Sequence, residues 1–306
     1  MSTQPQPASP WHRGEVAIQE SVGLAARLAE LGPRVIRDYL TEQHQNFYPL
    51  LPFIVLGTVD RAGRPWATLR AGKPGFLHAP DPQHLRIEAE RAPDDPAEDG
   101  LEDGAGVGLL GIELGTRRRN RLNGTLRRDG PAGFAVAVEQ SFGNCPQYIR
   151  PRRETHTAEV RPEAPASVLS DRLEGRARAL VERADTFFVA SFVEDGDGRR
   201  QVDVSHRGGP PGFVRVGTDG SLTIPDYSGN RFFNTLGNLL VNPRAGLVFP
   251  DFSGGDLLQM TGRTEILLDP AAAGGIEGAE RLWRFTPERV VFRAGALPLR
   301  FQSAAA

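Results

Sequence analysis

The feature that most constrains this chain is that it makes nearly the same statement twice. FIVLGTVDRAGRPWATLRAGKPGFL (residues 53–77) is echoed by TFFVASFVEDGDGRRQVDVSHRGGPPGFV (residues 186–214). Each stretch has an apolar run, an acidic turn ending in Gly-Arg, a second run, then Pro-Gly-Phe and an aliphatic residue. GLLGIELGTRRRNRLNG (residues 108–124) is echoed by GLVFPDFSGGDLLQMTG (residues 246–262), with glycine at both ends and the same spacing. A repeat unit this long means two copies of one domain rather than a short-period solenoid. Many short strand-like runs per copy, closed by Gly-rich turns, predict a small β-barrel for each.

The 306 residues suffice for two domains of ordinary size. The net charge of −2 gives no bulk attraction to nucleic acid. Cys145 is the single cysteine, which excludes an internal disulfide framework and a Cys-based zinc site. No apolar run reaches the ~20 residues of a membrane-spanning helix. The start, MSTQPQPASP, is polar and Pro-rich and lacks the basic-then-apolar order of a secretory signal. The expectation is a cytoplasmic protein with a frayed N-terminus and neither a membrane nor a nucleic-acid partner.

Helical spacing over Glu15 to Leu40 (Ile18, Val22, Ala25, Leu28, Leu31), interrupted at Gly32-Pro33, predicts an N-terminal helical segment, residues 1–50. The first barrel is expected over 51–150, a connector and helix over 151–184, and the second barrel over 185–306. Arg91 to Gly106 is acidic and rich in Pro and Gly, and reads as a solvated loop. The second copy has at that point a segment in which asparagine recurs every fourth residue: Asn230, Asn234, Asn238, Asn242. Loss after duplication would therefore leave a ligand site mainly in the second copy.

Asparagine is a poor helix former because its side chain competes for nearby backbone groups. Phe232, Phe233, Leu236, Leu239 and Leu240 form one apolar face, with Asn230, Asn234 and Asn238 roughly opposite. Ser228 or Asn230 is the expected cap, and the helix N-terminus beside Arg231 is a ready anion site. The plain alternative is a surface helix that tolerates Asn. In DVSHRGG, Asp203, Ser205 and Arg207 alternate on one strand face with Val204 and His206 on the other; Arg207 offers a planar fork to a phosphate. An ordinary charged edge strand is the alternative there, and a lone His206 carries little weight. GVGLLG (106–111) matches G-x-G-x-x-G but lacks the following helix that a dinucleotide site requires. Arg117, Arg118 and Arg119 read as a solvated hairpin tip, the sharper alternative being an anion held across the two copies. Arg70 and Lys73 occupy the matching strand of the first copy. Cys145 reads as a small buried hydrophobe. No Ser-His-Asp set or metal-ligand cluster stands out, so no catalytic side chain is assigned.

QVDVSHRGGPPGFV, TIPDYSGNRFFNTLGNLLVNPRAGLVF and LLQMTGRTEI together resemble the pyridoxamine 5′-phosphate oxidase-like family of FMN-binding split barrels, and FGNCPQYI resembles its flavin-nucleotide-binding branch. The resemblance implies a mainly β fold with flanking helices, two tandem split β-barrels, and FMN as cofactor. It implies a cofactor site at Val204, Ser205, Arg207, Asp226, Asn230, Arg231, Asn234 and Asn238. Arg207 stands at the family's phosphate-contacting Lys, and Asn230 and Arg231 at its Arg-Lys pair. The amide stripe is then expected to face a flavin nucleotide and the partner barrel. The family's Arg five places before that Lys is Val202 here, and its C-terminal Arg-Leu-His-Asp-Arg motif is absent, which speaks against pyridoxamine phosphate as substrate. The implied function is an FMN-dependent oxidoreductase acting on a small molecule, with NAD(P)H as a possible donor and the two barrels forming an internal pseudo-dimer; a homodimer is a further option. A flavin carrier or sensor, a haem-binding barrel and a cofactor-free interaction module are the rival readings.

Overall fold

A computed structural model describes residues 9–128, 130–155, 167–267 and 276–304. The extreme N-terminus and most of the expected connector lie outside the described residues.

The N-terminal segment is three helices instead of one interrupted helix: α1 (Arg13–Ser21), α2 (Ala25–Val35) and α3 (Glu42–Phe47). The break falls at Gly23, whose φ of 71° ends α1, and Pro33 is accommodated inside α2. His12 caps α1 in a capping box completed by Glu15.

Seven strands follow: β1 (Phe53–Val59), β2 (Pro65–Ala71), β3 (Leu77–Asp81), β4 (His84–Ile87), β5 (Gly106–Glu113), β6 (Arg118–Arg127) and β7 (Phe134–Gly143). β8 (Arg152–Thr155), β9 (Val168–Ser170) and α4 (Gly175–Arg183) lead to β10 (Thr186–Glu194), β11 (Arg200–Gly208), β12 (Arg215–Val216) and β13 (Leu222–Tyr227). Then come α5 (Asn234–Val241), β14 (Arg244–Pro250), β15 (Leu257–Leu267), β16 (Ala279–Arg293) and β17 (Arg300–Ser303), the last pairing with β8. Among the described residues no helix is long and apolar enough to cross a membrane.

The first sheet has the order β2-β1-β5-β6-β7-β4-β3 and the second β11-β10-β14-β15-β16-β13-β12. Strand for strand, the orders are the same, so the echo in sequence is an echo in topology. The glycines that close the second echo have a shared structural cause. A register shift falls at Asn123/Gly124 in one copy and at Thr261/Gly262 in the other. A Cβ on Gly124 would lie 2.0 Å from the Ala137 carbonyl oxygen, and one on Gly262 2.1 Å from that of Thr286. Only glycine fits either bulge.

Each sheet wraps its own core. Leu56, Leu109, Leu122 and Phe134 belong to the first; Phe187, Leu247, Met260 and Trp283 belong to the second. A third core joins the sheets, with Val55, Ala67 and Leu110 against Phe188, Val204 and Val248. Close backbone approach makes this contact possible. Gly108 of β5 lies against the Asp203–Val204 backbone of β11, and Gly246 of β14 against the Pro65–Trp66 backbone of β2. G-x-G-x-x-G at 106–111 is therefore strand β5 at a sheet-on-sheet contact, with no helix after it.

The acidic segment 91–106 is not a solvated loop throughout. It carries a short 3₁₀ turn, Pro96–Gly100, and buries Asp95, Ala97, Glu98 and Leu101. Cys145 is half-buried.

Candidate functional site

A cleft opens where β6 and the segment after β7 of the first sheet meet β11, β13 and the start of α5 of the second. It is lined by Leu110, Arg119, Arg121, Asn144 and Tyr148 from the first copy and by Ser205, His206, Arg207, Asp226, Asn230, Arg231, Asn234 and Arg281, among others, from the second. Counting the solvent at its mouth it holds about 860 Å³. Phe213, Phe233 and Leu236 supply an apolar wall. Tyr148 and Tyr227 stack at 5.2 Å and 24°, one ring from each side.

The backbone here is strained. Among the described residues four non-glycines have positive φ, and three of them, Tyr148 (63°), Arg231 (64°) and Phe233 (62°), line the cleft. Left-handed backbone at residues with Cβ costs free energy and concentrates at ligand sites. Phe233 occupies the cap position of α5 and makes no side-chain cap. The helix thus begins at Asn234, not at Asn230, and neither Ser228 nor Asn230 caps it. Asn230 instead accepts the Phe232 N–H at 3.2 Å and sits exposed at the cleft edge.

The amide stripe divides. Asn234 accepts from Arg121 at 2.8 Å and donates to Glu15 of α1, so it faces the cleft and the N-terminal helix together. Asn238 does not line the cleft. It bonds to His12 at 2.8 Å and Ser191 at 3.0 Å, beside a second cavity of about 770 Å³, open solvent included, that is also lined by Glu15, Gln140 and Asp203. Asn242 donates to the Phe192 carbonyl at 3.3 Å. The stripe's main partner is α1, which crosses α5 so closely that a Cβ on Gly14 would lie 2.2 Å from the Gly237 carbonyl oxygen. Val204 is also off the cleft, its side chain being fully buried in the core between the sheets.

Arg207 and Arg231 are not bare cations. Arg207 pairs with Asp226 at 2.7 Å, and Arg231 with Glu280 at 2.6 Å. Arg281 bridges both carboxylates, at 3.2 Å and 2.7 Å. Arg121 pairs with Asp203 at 2.9 Å and donates to Ser205. Among the described residues Arg119 has no carboxylate partner; its guanidinium donates to His206 Nδ1 at 3.0 Å. Burial, with Arg121 and Arg207 alongside, pulls the Arg119 pKa down to about 10. Burial, with the Arg119, Arg207 and Arg152 guanidinium groups nearby, holds His206 well below its ordinary value, so its ring is neutral near pH 7. Since a guanidinium only donates, Nδ1 accepts and Nε2 carries the proton. Five guanidinium groups around the cleft are thus matched by three carboxylates, Asp203, Asp226 and Glu280. Glu15, lifted to about 8 mainly by burial, adds little negative charge at neutral pH.

The unsatisfied atoms are the most informative. Arg119 Nε, Arg121 Nε, Arg207 Nε, His206 Nε2 and Asn144 Nδ2 are buried without a partner, and all five residues line this cleft. Each of these atoms is a donor. Buried donors left unpaired cost ~1–3 kcal/mol apiece, and the residues that carry them gather along this cleft.

Arg121, His206, Asn144, Tyr148 and Arg281 were not singled out as ligand groups from sequence, and Arg119 only as one reading of a basic run. Arg117 and Arg118 are exposed at the hairpin, while Arg119 enters β6 and turns inward. The available signal was the echo itself, which aligns Arg121 with Gln259, a polar residue among Leu257, Leu258 and Met260.

No curated protein matches the chain. Among solved structures it is similar to a Lactobacillus delbrueckii protein described as a pyridoxamine 5′-phosphate oxidase, at 22% identity over 35% of this chain and 95% of that one (TM-score 0.28). It is similar to an FAD-binding protein of Mesorhizobium loti, at 15% identity over 42% and 96% (TM-score 0.27). The haem storage protein of Vibrio cholerae gives 17% identity over 40% and 96% (TM-score 0.27). The pyridoxamine 5′-phosphate oxidase family model matches residues 40–168 and again 173–294. With both copies matched and most of the sequence covered, the chain belongs to the pyridoxamine 5′-phosphate oxidase family as a tandem duplicate of its barrel.

Proposed function

We propose that the cleft between the barrels binds FMN and that the protein is a flavin-dependent oxidoreductase acting on a small molecule. The observation that carries this reading is a cleft with more guanidinium than carboxylate groups, lined by residues that keep unpaired buried donors. A phosphate monoester brings close to two negative charges at neutral pH and several strong acceptors. Arg207 and Arg231 would hold it, with Arg281 keeping Asp226 and Glu280 neutralised behind them. Arg119, His206 Nε2–H and Asn144 offer donors further in, from both barrels. The Tyr148–Tyr227 stack and Phe213 give a flat ring an apolar surface. Bound FMN would supply hydride or electron transfer. The chain's own part is to grip the anion, place donors at the ring's heteroatoms and keep water from its face. His206 stays neutral in this role, since its neighbours are cationic.

Titrating the purified protein with FMN, followed by flavin fluorescence, tests the binding. Saturable quenching is expected, and its absence would overturn the reading. Anaerobic reduction by NAD(P)H followed by turnover on an acceptor separates the oxidoreductase from a non-catalytic flavin carrier.

A further inference from the structure

The first barrel has the counterpart of this site, and it is filled by the protein itself. The matched strand registers give the equivalences. Arg70 pairs across to Ile54 and Arg207 to Phe187 in the corresponding hairpins; two residues earlier stand Thr68 and Ser205. Gln259 of β15 pairs with Val248, and Arg121 of β6 with Leu110. Arg293 pairs with Leu257, and the Asn144 N–H bonds to Arg119 at the corresponding position. In the second barrel Ser205, Arg207, Arg121 and Asn144 all line the open cleft.

In the first, their counterparts converge on one carboxylate. Asp95 accepts from Thr68 and Arg70, from Gln259 at 2.8 Å, from Arg293 at 3.1 Å and from the Ala97 N–H at 2.9 Å. Its side chain has no exposure. Glu98 takes the other arm of Arg70 at 2.9 Å. Glu98 also pairs with Arg128 at 3.3 Å and Arg91 at 3.4 Å. Among the described residues Thr68, Arg70, Gln259 and Arg293 keep no buried unpaired side-chain donor, whereas their counterparts Arg207, Arg121 and Asn144 each do. As there, the donors come from both barrels.

We propose that this locus is an oxyanion site whose ligand has been replaced by the Asp95 side chain, so that the chain carries one open phosphate site and one latent one. The latent site takes a small oxyanion of the phosphate class once the internal carboxylate is removed. The claim that the open site takes phosphate rests on the function proposed above; the latent site does not.

Equilibrium dialysis of the full chain against inorganic phosphate tests this, comparing wild type with Asp95→Gly and with Asp95→Gly/Arg70→Ala, alongside unfolding temperatures with and without phosphate. Asp95→Gly is expected to bind one more phosphate per chain than wild type and to gain more unfolding temperature from phosphate; the double variant loses both gains. If Asp95→Gly folds only when phosphate is present, and not in chloride of equal ionic strength, the proposal stands. A folded Asp95→Gly with the wild-type count, or an unfolded one that phosphate does not rescue, overturns it. A wild type that binds no phosphate counts against the second barrel's cleft; the difference between variant and wild type still decides the latent site.

Discussion

The two barrels share strand order, bulges and contact glycines, and differ in what joins the fourth strand to the fifth. In the first, a short 3₁₀ turn folds two carboxylates onto an arginine. In the second, a strained loop and α5 leave the equivalent arginine at an open cleft. One framework thus yields a structural ion cluster in one copy and a donor-lined cleft in the other. The strands place the arginines, and the connection decides whether the chain folds carboxylates of its own onto them or leaves them beside an open cleft.

The comparison breaks most directly at the equivalent arginines. Arg207→Ala combined with Arg231→Ala removes two charge-assisted contacts of ~1.5–3 kcal/mol each, so FMN affinity should fall by roughly 10²- to 10⁴-fold with the fold intact. Fluorescence titration beside circular dichroism measures both; an unchanged dissociation constant would break the comparison. Arg70→Ala should behave in the opposite way. It takes from Asp95 and Glu98 their shared guanidinium partner, leaving Arg293 on the one and Arg128 on the other, and should cost about 3 kcal/mol of stability, read by urea unfolding, while the folded protein keeps its FMN affinity. Weakened FMN binding at wild-type stability would mean that the two loci share one role.

The loci also part in their response to pH. Burial alone would push the Asp95 carboxyl up, but the guanidinium groups of Arg70 and Arg293, with bonds from Gln259 and Thr68, outweigh it and leave it at about 2. A depressed carboxyl contributes stability above its unfolded pKa, so this contribution of about 2 kcal/mol should be lost as pH falls from about 4 to 2. Glu15, which bonds to Asn234 at the second locus, moves the other way, from 4.5 to about 8. A raised carboxyl's contribution is full below its unfolded pKa and fades as pH rises through 4.5 towards 8. Glu15→Gln should therefore improve stability at pH 8 relative to pH 5 by about 1–3 kcal/mol. Chemical unfolding of wild type and variant at the two pH values checks this, and parallel losses in both would refute it. The smallest effect is expected at Arg119, the buried cation without a carboxylate. Arg119→Met should raise the ligand-free stability by about 1 kcal/mol while weakening FMN binding. A variant with reduced ligand-free stability would show that Arg119 serves the fold.

The duplication, the barrel class and the family were legible because each rests on local pattern: alternating strands, Gly-rich turns, and glycines that a neighbouring backbone excludes from carrying a side chain. Arg207, Asp226, Asn230 and Arg231 could be read as a neighbourhood because β11 and the segment from β13 to α5 are short stretches of chain. Asn238 and Val204 were misplaced for the same reason. Helical and strand periodicity gives a face, and only packing says what covers it: α1 for Asn238, the facing sheet for Val204.

By itself the sequence determined that there are two copies of one barrel, that they belong to this family, and that the second carries the polar segment. Tertiary structure alone decided which cations remain for a ligand. Charge compensation depends on groups distant in the chain, such as Arg121 with Asp203, or Asp95 with Gln259 and Arg293. The energy of a buried charge is set by the few ångströms around it rather than by its neighbours in sequence. Arg70 and Arg207 therefore occupy the same place in the repeat and differ in surroundings: Arg70 is enclosed by two carboxylates, and Arg207 pairs with one at an open cleft.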